Sequence, residues 1–340
     1  MAQQLHFEKH LLGGSPRPLR LAFILDPLDS LKAWKDSSVA MMRAAEKHGH
    51  EVYAIEAQTL GWRSPEPGRH TGGVFAEALH LMMRPDDHDW YRETGRNWQA
   101  LKHFDAVIMR KDPPFDFEYL TATWLLERAE ADGVRVFNRP RALRDHSEKL
   151  ALLEFARFAP PTEVSRDMQR IQHFVDEERD VILKPLDGMG GSQIFRVHRH
   201  DPNRNVIIET LTNHGQRTIM AQRYLPAITA GDKRILLIAG LPVPWCLARI
   251  PKAGETRGNL AVGGTGVAQE LSPRDREIAE ALGPTLFKRG LMLVGIDVIG
   301  DHLTEINVTS PTCMVEIRQQ SGFDAAGAFI TAIEHACGQT

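Results

Sequence analysis

The sequence predicts an α/β fold that becomes α+β in its C-terminal part, and two observations carry that prediction. Up to Pro140, short apolar runs alternate with longer helical patterns, which is typical of a parallel sheet covered by helices. From Thr218 onward, short strand-like runs follow one another across tight turns, which indicates antiparallel pairing. Because 340 residues exceed one ordinary hydrophobic core, we expect two or three domains.

The first elements predict an N-terminal α/β domain over residues 19–145, preceded by a mobile arm at 1–18. Residues 61–73 are rich in Gly, Pro and Arg without periodicity, so we expect a loop insertion within 61–75. Apolar runs predict strands at 19–25, 52–55, 105–109 and 134–137, and helical periodicity predicts helices at 37–48 and 117–132.

The chain changes character after Pro140, and we expect a central subdomain at 146–226 and a C-terminal subdomain at 227–340. Residues 251–266 are rich in glycine and nearly free of large apolar side chains, so they predict a mobile loop suited to a lid. The remaining predicted elements are a helix at 147–158 and strands at 181–186, 219–224, 234–239 and 243–250.

Composition limits the class of function. Hydrophobic residues make up 42% and charged residues 25% of the chain, which is typical of a globular protein. A formal net charge of −3 provides no basic field for nucleic acid or for an anionic membrane, so a small-molecule partner is expected. The three cysteines are widely spaced without a CxxC pair, which predicts neither disulfides nor a zinc site and favours a cytoplasmic protein.

A pair of acidic residues near the C-terminus predicts a metal site. Strands at 294–299 and 303–308, joined across residues 300–302, would set Asp297 opposite Glu305, with Asn307 on the same face. Two facing carboxylates repel each other unless a hard cation lies between them, and oxygen ligands favour Mg²⁺, with Mn²⁺ as the other candidate. The same acids could instead face water on an exposed hairpin, and a one-residue slip in register would separate them.

A lysine followed by a glycine cluster predicts a phosphate site. Lys184 lies at the end of a buried strand, and Gly188, Gly190 and Gly191 follow within the loop at 187–192. Glycines allow the backbone conformations in which successive N–H groups surround an anion, and the ammonium group adds a charge-assisted contact. The cluster could also be an ordinary turn, and Lys149, in the next predicted helix upstream, could be a surface lysine.

The end of the strand at 219–224 offers a site for a flat heterocycle. Gln222, Tyr224 and Leu225 combine backbone groups with apolar surface, and Pro226 then ends the strand. Asp232 could accept a hydrogen bond from a ribose hydroxyl, although an aspartate in a turn has a purely structural use as well.

Six segments in order resemble the ATP-grasp superfamily and, within it, the bacterial glutathione synthetase family, over residues from about 20 to 335. The resemblance implies an ATP-grasp fold preceded by a Rossmann-like parallel-sheet domain. It departs from the family pattern in the N-terminal arm and around residues 61–75. The segments that carry it lie at 110–116, 182–191, 231–234, 247–251, 254–260 and 303–312.

The same resemblance implies a role for each candidate site residue. ATP would be bound by Lys149, Lys184, Gly188, Gly190, Gly191, Gln222, Tyr224, Leu225 and Asp232. Magnesium would be bound by Asp297, Glu305 and Asn307, with the transferred phosphoryl group stabilised by Arg234, Arg249 and Arg257. The dipeptide and amine substrates would be bound by Arg110, Asp112, Asn259, Ser310 and Thr312.

The activity implied by the resemblance is ligation of γ-glutamylcysteine with glycine, with ATP as co-substrate and an acyl phosphate as intermediate. A homo-oligomer, commonly a tetramer in that family, is implied as well. Two alternatives stay open at this point. One is an ATP-grasp ligase that joins other substrates, because the nucleotide half is shared among chemistries. The other is an ATP-binding protein that catalyses nothing.

Overall fold

The strands within the described residues form three sheets, of seven, four and five strands. A computed structural model describes residues 17–65, 72–188, 190–255, 257–258, 260 and 263–338. Each sheet is built from a separate stretch of the chain. The mixed α/β architecture predicted from the sequence is confirmed.

The first sheet begins at residue 20 and has a parallel centre, in the order β2-β1-β6-β7. Helices cover it, and the side chain of Asp36 caps the first helix by accepting hydrogen bonds from the backbone N–H groups of Ser38 and Val39. The elements are β1 (Arg20–Leu25), α1 (Ser37–Lys47), β2 (Glu51–Glu56), β3 (Gly61–Arg63), β4 (Gly73–Met83), β5 (Tyr91–Ala100), β6 (Ala106–Met109), α2 (Phe117–Ala131), β7 (Val136–Phe137) and α3 (Pro140–Asp145).

The predicted loop insertion at 61–73 is wrong in part, because its ends belong to strands. Residues 61–63 form β3, which pairs antiparallel with the start of β4, and β4 pairs with β2 and β5. The hairpin of β4 and β5 is missing from the sequence prediction. Most side chains of β5 are polar and exposed, so the strand carries no hydrophobic pattern and extends the sheet through backbone pairing. Residues 66–71 of the insertion lie outside the described residues.

The second sheet is antiparallel throughout, in the order β10-β9-β11-β8. Two helices pack on one face of it around buried residues such as Ile171, Val175 and Ile208. Its elements are β8 (Thr162–Ser165), α4 (Met168–Glu178), β9 (Asp180–Pro185), β10 (Phe195–His198), α5 (Arg204–Thr212) and β11 (Ile219–Arg223).

The third sheet is also antiparallel, in the order β14-β13-β12-β15-β16, as the close spacing of strand signals predicted. The predicted glycine-rich loop at 251–266 ends earlier than expected, because Thr265 already pairs with Ile250. The elements are β12 (Asp232–Ile238), β13 (Leu241–Ile250), β14 (Thr265–Glu270), α6 (Pro273–Lys288), β15 (Leu293–Ile299), β16 (His302–Asn307), α7 (Met314–Ser321) and α8 (Ala325–Gly338).

The predicted helix at 147–158 is wrong, since the regular part of this segment is a 3₁₀ helix at Leu150–Phe155. The segment lies along β16, where the carbonyl of Glu148 accepts a hydrogen bond from Ile306 N–H and that of Phe158 accepts one from Leu303 N–H. These carbonyl groups therefore accept hydrogen bonds from β16 rather than from N–H groups of an α-helix.

The N-terminal arm was predicted to be mobile over 1–18, and residues 1–16 of it lie outside the described residues. Arg17 forms an ion pair with Asp105 at 2.5 Å. Among the helices of the described ranges, none is long and apolar enough to cross a membrane.

Candidate active site

A cavity of about 310 Å³ lies between the second and third sheets. Strands β9 and β11 form one wall, and strands β12, β13, β15 and β16 form the other. The cavity therefore lies where the side chains of two independently formed sheets converge, which is a common position for a ligand site.

The structure brings nearly all predicted site residues to this cavity. Arg110 is an exception because it lies buried behind the wall, and Asn259 lies outside the described residues. The lining includes Lys149, Lys184, Gly188, Gly190, Gly191, Gln222, Tyr224, Leu225 and Asp232. It also includes Asp112, Arg234, Arg249, Arg257, Asp297, Glu305, Asn307, Ser310 and Thr312.

The predicted register of the acidic hairpin is confirmed. Asp297 pairs with Glu305, and Gly295 pairs with Asn307, so the three polar residues share one face. A register irregularity follows directly after Asp297, between this pair and the turn. It lies beyond the acidic pair and leaves the facing arrangement intact.

Asp297 is buried and surrounded by hydrogen-bond donors. Arg234 Nε lies 2.5 Å from Oδ1, whereas Arg234 Nη2 and Arg249 Nη2 lie 2.9 and 2.8 Å from Oδ2. Asn307 Nδ2 also donates to Oδ2, at 3.2 Å. Burial alone would raise the pKa of Asp297, but the two arginines outweigh it and hold that pKa well below its usual range. The carboxylate is therefore ionised at neutral pH.

Glu305 faces the two predicted phosphate-binding lysines. Its Oε1 lies 2.9 Å from Lys149 Nζ, which also donates to the carbonyl of Gly188 at 2.7 Å. Lys184 is buried, its Nζ lies 3.4 Å from the carbonyl of Thr304, and burial lowers its pKa. Two ammonium groups thus converge at the mouth of the glycine loop, where an anion would relieve their mutual repulsion.

The loop after β9 needs glycine for its backbone conformation. Gly190 and Gly191 have φ angles of 63° and 82°, a region that side chains disfavour. Glycines in this conformation allow a tight turn, and the backbone N–H groups of a turn can bind an anion. Met189 of the same loop lies outside the described residues.

Tyr224 and Asp232 add flat and polar surface to the wall of the cavity. The guanidinium of Arg196 lies 3.6 Å from the centre of the Tyr224 ring, which fixes that ring at the wall. Asp232 Oδ2 accepts a hydrogen bond from Arg249 at 2.5 Å, while its Oδ1 is buried without a partner among the described residues. Burial raises the pKa of Asp232 to about 6. An unpaired acceptor at this position suits a ligand hydroxyl.

Arg110 and Asp112 follow β6 at the carboxyl edge of the first sheet. Arg110 is buried and donates to Ser38 Oγ at 3.0 Å and to the Pro311 carbonyl at 2.9 Å, while its Nη1 has no partner among the described residues. Asp112 lies at the cavity and accepts a hydrogen bond from the hydroxyl of Ser310. The first sheet thus contributes to the same site as the other two.

The structure adds one acidic residue that the sequence prediction omitted. Glu148 lines the cavity, and its Oε1 accepts hydrogen bonds from the backbone of Val308 and Thr309 and from the Thr309 hydroxyl. The contacts join residues 160 positions apart, so no local pattern could have revealed them. Its position beside Lys149 in the sequence was the one available signal.

Oxygen ligands for a hard cation are present on one face of the hairpin. Asp297 and Glu305 supply carboxylate oxygens. The amide nitrogen of Asn307 donates hydrogen bonds to Asp297 and to the Gly295 carbonyl, so the amide oxygen of Asn307 is left for another partner. This all-oxygen set fits Mg²⁺ or Mn²⁺ better than zinc.

The fold and this site together define an ATP-grasp protein. D-cycloserine synthetase DcsG superposes with a TM-score of 0.62 at 14% identity, covering 93% of this chain and 99% of that one. The ATP-grasp ligase PsnB, in a structure with minimal precursor, Mg and ADP, superposes with a TM-score of 0.60 at 18% identity, covering 94% and 98% of the two chains. These two likenesses show the fold.

The chain belongs to the prokaryotic glutathione synthetase family. The model of that family's N-terminal domain matches residues 19–144, and the model of its ATP-grasp domain matches residues 148–322. The glutathione synthetase of Nitrosomonas europaea is 60% identical over 93% of this chain and 98% of its own. The glutathione synthetases of Ralstonia nicotianae and Vibrio parahaemolyticus are 56% and 50% identical, over 94% and 93% of this chain and 97% and 98% of theirs.

Proposed function

We propose that the chain joins γ-L-glutamyl-L-cysteine to glycine at the expense of ATP, giving glutathione, ADP and phosphate. The observation that carries the proposal is the facing pair Asp297 and Glu305 beside two converging lysines, in a chain that matches both domains of the family. A cation-binding pair next to a phosphate-binding loop is what phosphoryl transfer to a carboxylate requires.

ATP would lie along the cavity with its phosphates under the glycine loop. Lys149 and Lys184 would contact the phosphates together with backbone N–H groups near Gly188, Gly190 and Gly191. The base would lie against Tyr224 and Leu225, and Asp232 Oδ1 would accept a hydrogen bond from the ribose. Gln222, whose Nε2 lies 3.3 Å from Thr162 Oγ1, would present its amide to the base.

Mg²⁺, with Mn²⁺ as a substitute, would be held by Asp297, Glu305 and Asn307. When bound, the cation would neutralise phosphate charge and hold the γ-phosphoryl group toward the attacking carboxylate. These three side chains suit a hard cation because they offer oxygen atoms on one face of the hairpin.

The cysteinyl carboxylate of the dipeptide would attack the γ-phosphorus, and the acyl phosphate formed would be attacked by the glycine amine. Arg234 and Arg249 are buried at this place and would stabilise the phosphoryl oxygens and the tetrahedral oxyanion. Arg257, whose Nη1 lies 3.5 Å from the Gly191 carbonyl, would bring the segment at 251–264 over the site. Such closure would protect the acyl phosphate from water.

The dipeptide and glycine would be bound by residues that follow strands of the first and third sheets. Asp112 lines the cavity and carries a charge opposite to that of the dipeptide's ammonium group, so we assign it to the dipeptide. Arg110, expected to bind the dipeptide's carboxylate, is buried behind the wall, and we assign it to supporting the segment at 310–312 through the Pro311 carbonyl. Ser310 and Thr312, and Asn259 on the lid segment, are assigned to the glycine side. The hydrogen bond from Ser310 to Asp112 places these two groups in contact.

The organisation of the protein is part of the proposal. We assign an N-terminal domain to 19–145, a central subdomain to 146–226 and a C-terminal subdomain to 227–340. Because Cys246, Cys313 and Cys337 are all free thiols, we propose a cytoplasmic protein. We also propose a homotetramer, which light scattering of the purified chain at two concentrations would test.

An amine-dependence assay tests the function. Release of ADP is measured with Mg²⁺, ATP and γ-glutamylcysteine, with glycine, D-alanine or glutamate as the amine. We expect turnover that depends on glycine and is at least about 100-fold lower with the bulkier amines, because a pocket matched to glycine would exclude a side chain. Turnover with another amine but not glycine would identify a different ligase, and ATP binding without any ligation would identify a non-catalytic protein.

A further inference from the structure

Of the five carboxylates that line the cavity in the described part of the chain, three are neutralised by basic residues of the chain itself. Asp232 and Asp297 each contact Arg249, at 2.5 and 2.8 Å. Glu305 contacts Lys149 at 2.9 Å. These ion pairs leave two acids of the cavity, which differ from each other in their surroundings.

The two remaining acids are Asp112 and Glu148. Asp112 is exposed and has a hydroxyl donor from Ser310. Glu148 is only partly exposed, and within the described ranges of the chain no basic side chain forms an ion pair with it. Burial and the neighbouring Glu305 raise the pKa of Glu148. A partly enclosed carboxylate without a cation is unfavourable unless a ligand supplies the charge.

The two oxygens of Glu148 have different environments. Oε1 accepts hydrogen bonds from Val308 N–H at 2.9 Å, from Thr309 N–H at 3.1 Å and from the Thr309 hydroxyl at 2.8 Å. No described residue donates to Oε2. Because Glu148 lines the cavity, its second oxygen is available to a ligand there.

The place of this carboxylate in the site narrows the choice of ligand. Glu148 is anchored to the turn that connects Asn307, at the cation-binding face, with Ser310, on the amine side. ATP is anionic, and the ammonium group of the dipeptide lies at the end of that molecule opposite to the reacting carboxylate. The cationic group that must come next to the reacting carboxylate is the ammonium of the incoming amino acid.

We propose that Glu148 binds and orients the ammonium group of the amino acid that attacks the acyl phosphate. This inference rests on the proposed function and adds to it the residue that recognises the amine substrate. Oε1 fixes the side chain against the turn at Val308, and Oε2 accepts a charge-assisted hydrogen bond from the ammonium group. One proton passes from the ammonium group to Oε2, and the neutral amine then attacks the acyl carbon and displaces phosphate. Glu148 thereby favours an amine that arrives as an ammonium ion over one that arrives neutral.

Glu148→Gln tests the proposal because the amide keeps an oxygen for the three donors of the 308–309 turn and loses the negative charge. Two nucleophiles are compared at pH 8 with saturating ATP, Mg²⁺ and dipeptide. Glycine is predominantly an ammonium ion, whereas hydroxylamine is predominantly neutral and traps acyl phosphates as hydroxamates. We expect KM for glycine to rise about 10- to 100-fold, the value of a charged hydrogen bond, with hydroxamate formation within about twofold of wild type.

Three outcomes would overturn the proposal. An unchanged KM for glycine in Glu148→Gln shows that the negative charge of Glu148 does not contribute to glycine binding. Equal losses with glycine and hydroxylamine show that Glu148 only supports the turn. Recovery by a higher Mg²⁺ concentration rather than by more glycine shows that the carboxylate binds a cation instead.

Two further variants serve as controls. Glu154→Gln removes a negative charge from the same segment but outside the cavity, where Glu154 pairs with Arg289, and we expect it to leave the ratio of glycine to hydroxylamine products unchanged. Glu148→Ala removes the anchor as well as the charge, so products from both nucleophiles should fall. Wild-type protein without any glycine-dependent turnover would contradict the proposed function itself, whereas the ratio measured in Glu148→Gln tests this inference alone.

Discussion

Asp297 and Glu305 face each other across the hairpin, but they depend differently on the rest of the protein. The side chain of Asp297 is 4% exposed and contacts two buried arginines, whereas that of Glu305 is 24% exposed and contacts Lys149. Asp297 therefore carries a stabilising role in addition to its proposed role in cation binding.

Isosteric variants should separate the two roles. Asp297→Asn leaves the buried guanidinium of Arg234 without its carboxylate and that of Arg249 with Asp232 alone, and we expect it to lower the free energy of unfolding by about 3–5 kcal/mol. Glu305→Gln should lower that free energy by clearly less, because Glu305 is 24% exposed and Lys149 keeps the Gly188 carbonyl as a partner, and it should still lower turnover by about 100-fold or more. Urea unfolding and ADP release measure both quantities. Equal destabilisation by the two variants would contradict this account.

Asp232 predicts a pH dependence of stability. Its pKa in the folded protein is about 6, above the ordinary value of 3.8, so the folded state binds more protons than the unfolded state between these pH values. The contribution of this group to stability is therefore present at low pH and lost as pH rises toward 6. Asp232→Asn has no carboxyl group to titrate, so its stability does not fall for this reason as pH rises. The free energy of unfolding of the variant minus that of wild type should therefore increase from pH 4.5 to pH 7. An equal difference at both pH values would rule this out.

At the scale of elements, regular patterns with a buried face were predictable from the sequence. The register of β15 and β16 followed from the alternation of apolar and polar residues, because a shift would have turned Ile296 and Ile306 out of the core. Strand β5 was missed because its exposed side chains obey no such constraint. The segment at 147–158 was misassigned because β16 uses carbonyl groups that an α-helix would need, and these contacts are distant in sequence.

Helix α6 begins with a capping box, and this element makes a prediction of its own. Ser272 Oγ accepts a hydrogen bond from Asp275 N–H at 3.1 Å, and the Asp275 carboxylate accepts one from Ser272 N–H at 3.0 Å. Ser272→Ala should lower the free energy of unfolding by about 1 kcal/mol, and Ser272→Thr by clearly less, since threonine can still cap. Both should keep wild-type turnover. Equal losses in the two variants would show that the cap is not the cause.

At the scale of the molecule, the site exists because residues from three sheets and the segments that follow their strands converge on one cavity. The predictable part of the site comprises residues within recognisable strands and turns, such as Lys184, Asp297 and Glu305. The ion pairs of Asp297 with the arginines, and the contact of Glu148 with residues 308–309, depend on how the sheets pack together. Such contacts are set by tertiary structure, so periodicity and spacing could not supply them.

The central claim is that this cavity activates a carboxylate by transferring the γ-phosphoryl group of ATP to it. Dipeptide labelled with ¹⁸O in the cysteinyl carboxylate tests this most directly, with mass spectrometry of the phosphate released during glycine-dependent turnover. Formation of an acyl phosphate and its displacement by the amine would transfer one ¹⁸O atom to each phosphate. Phosphate free of label, in reactions that form the peptide product, would contradict the account.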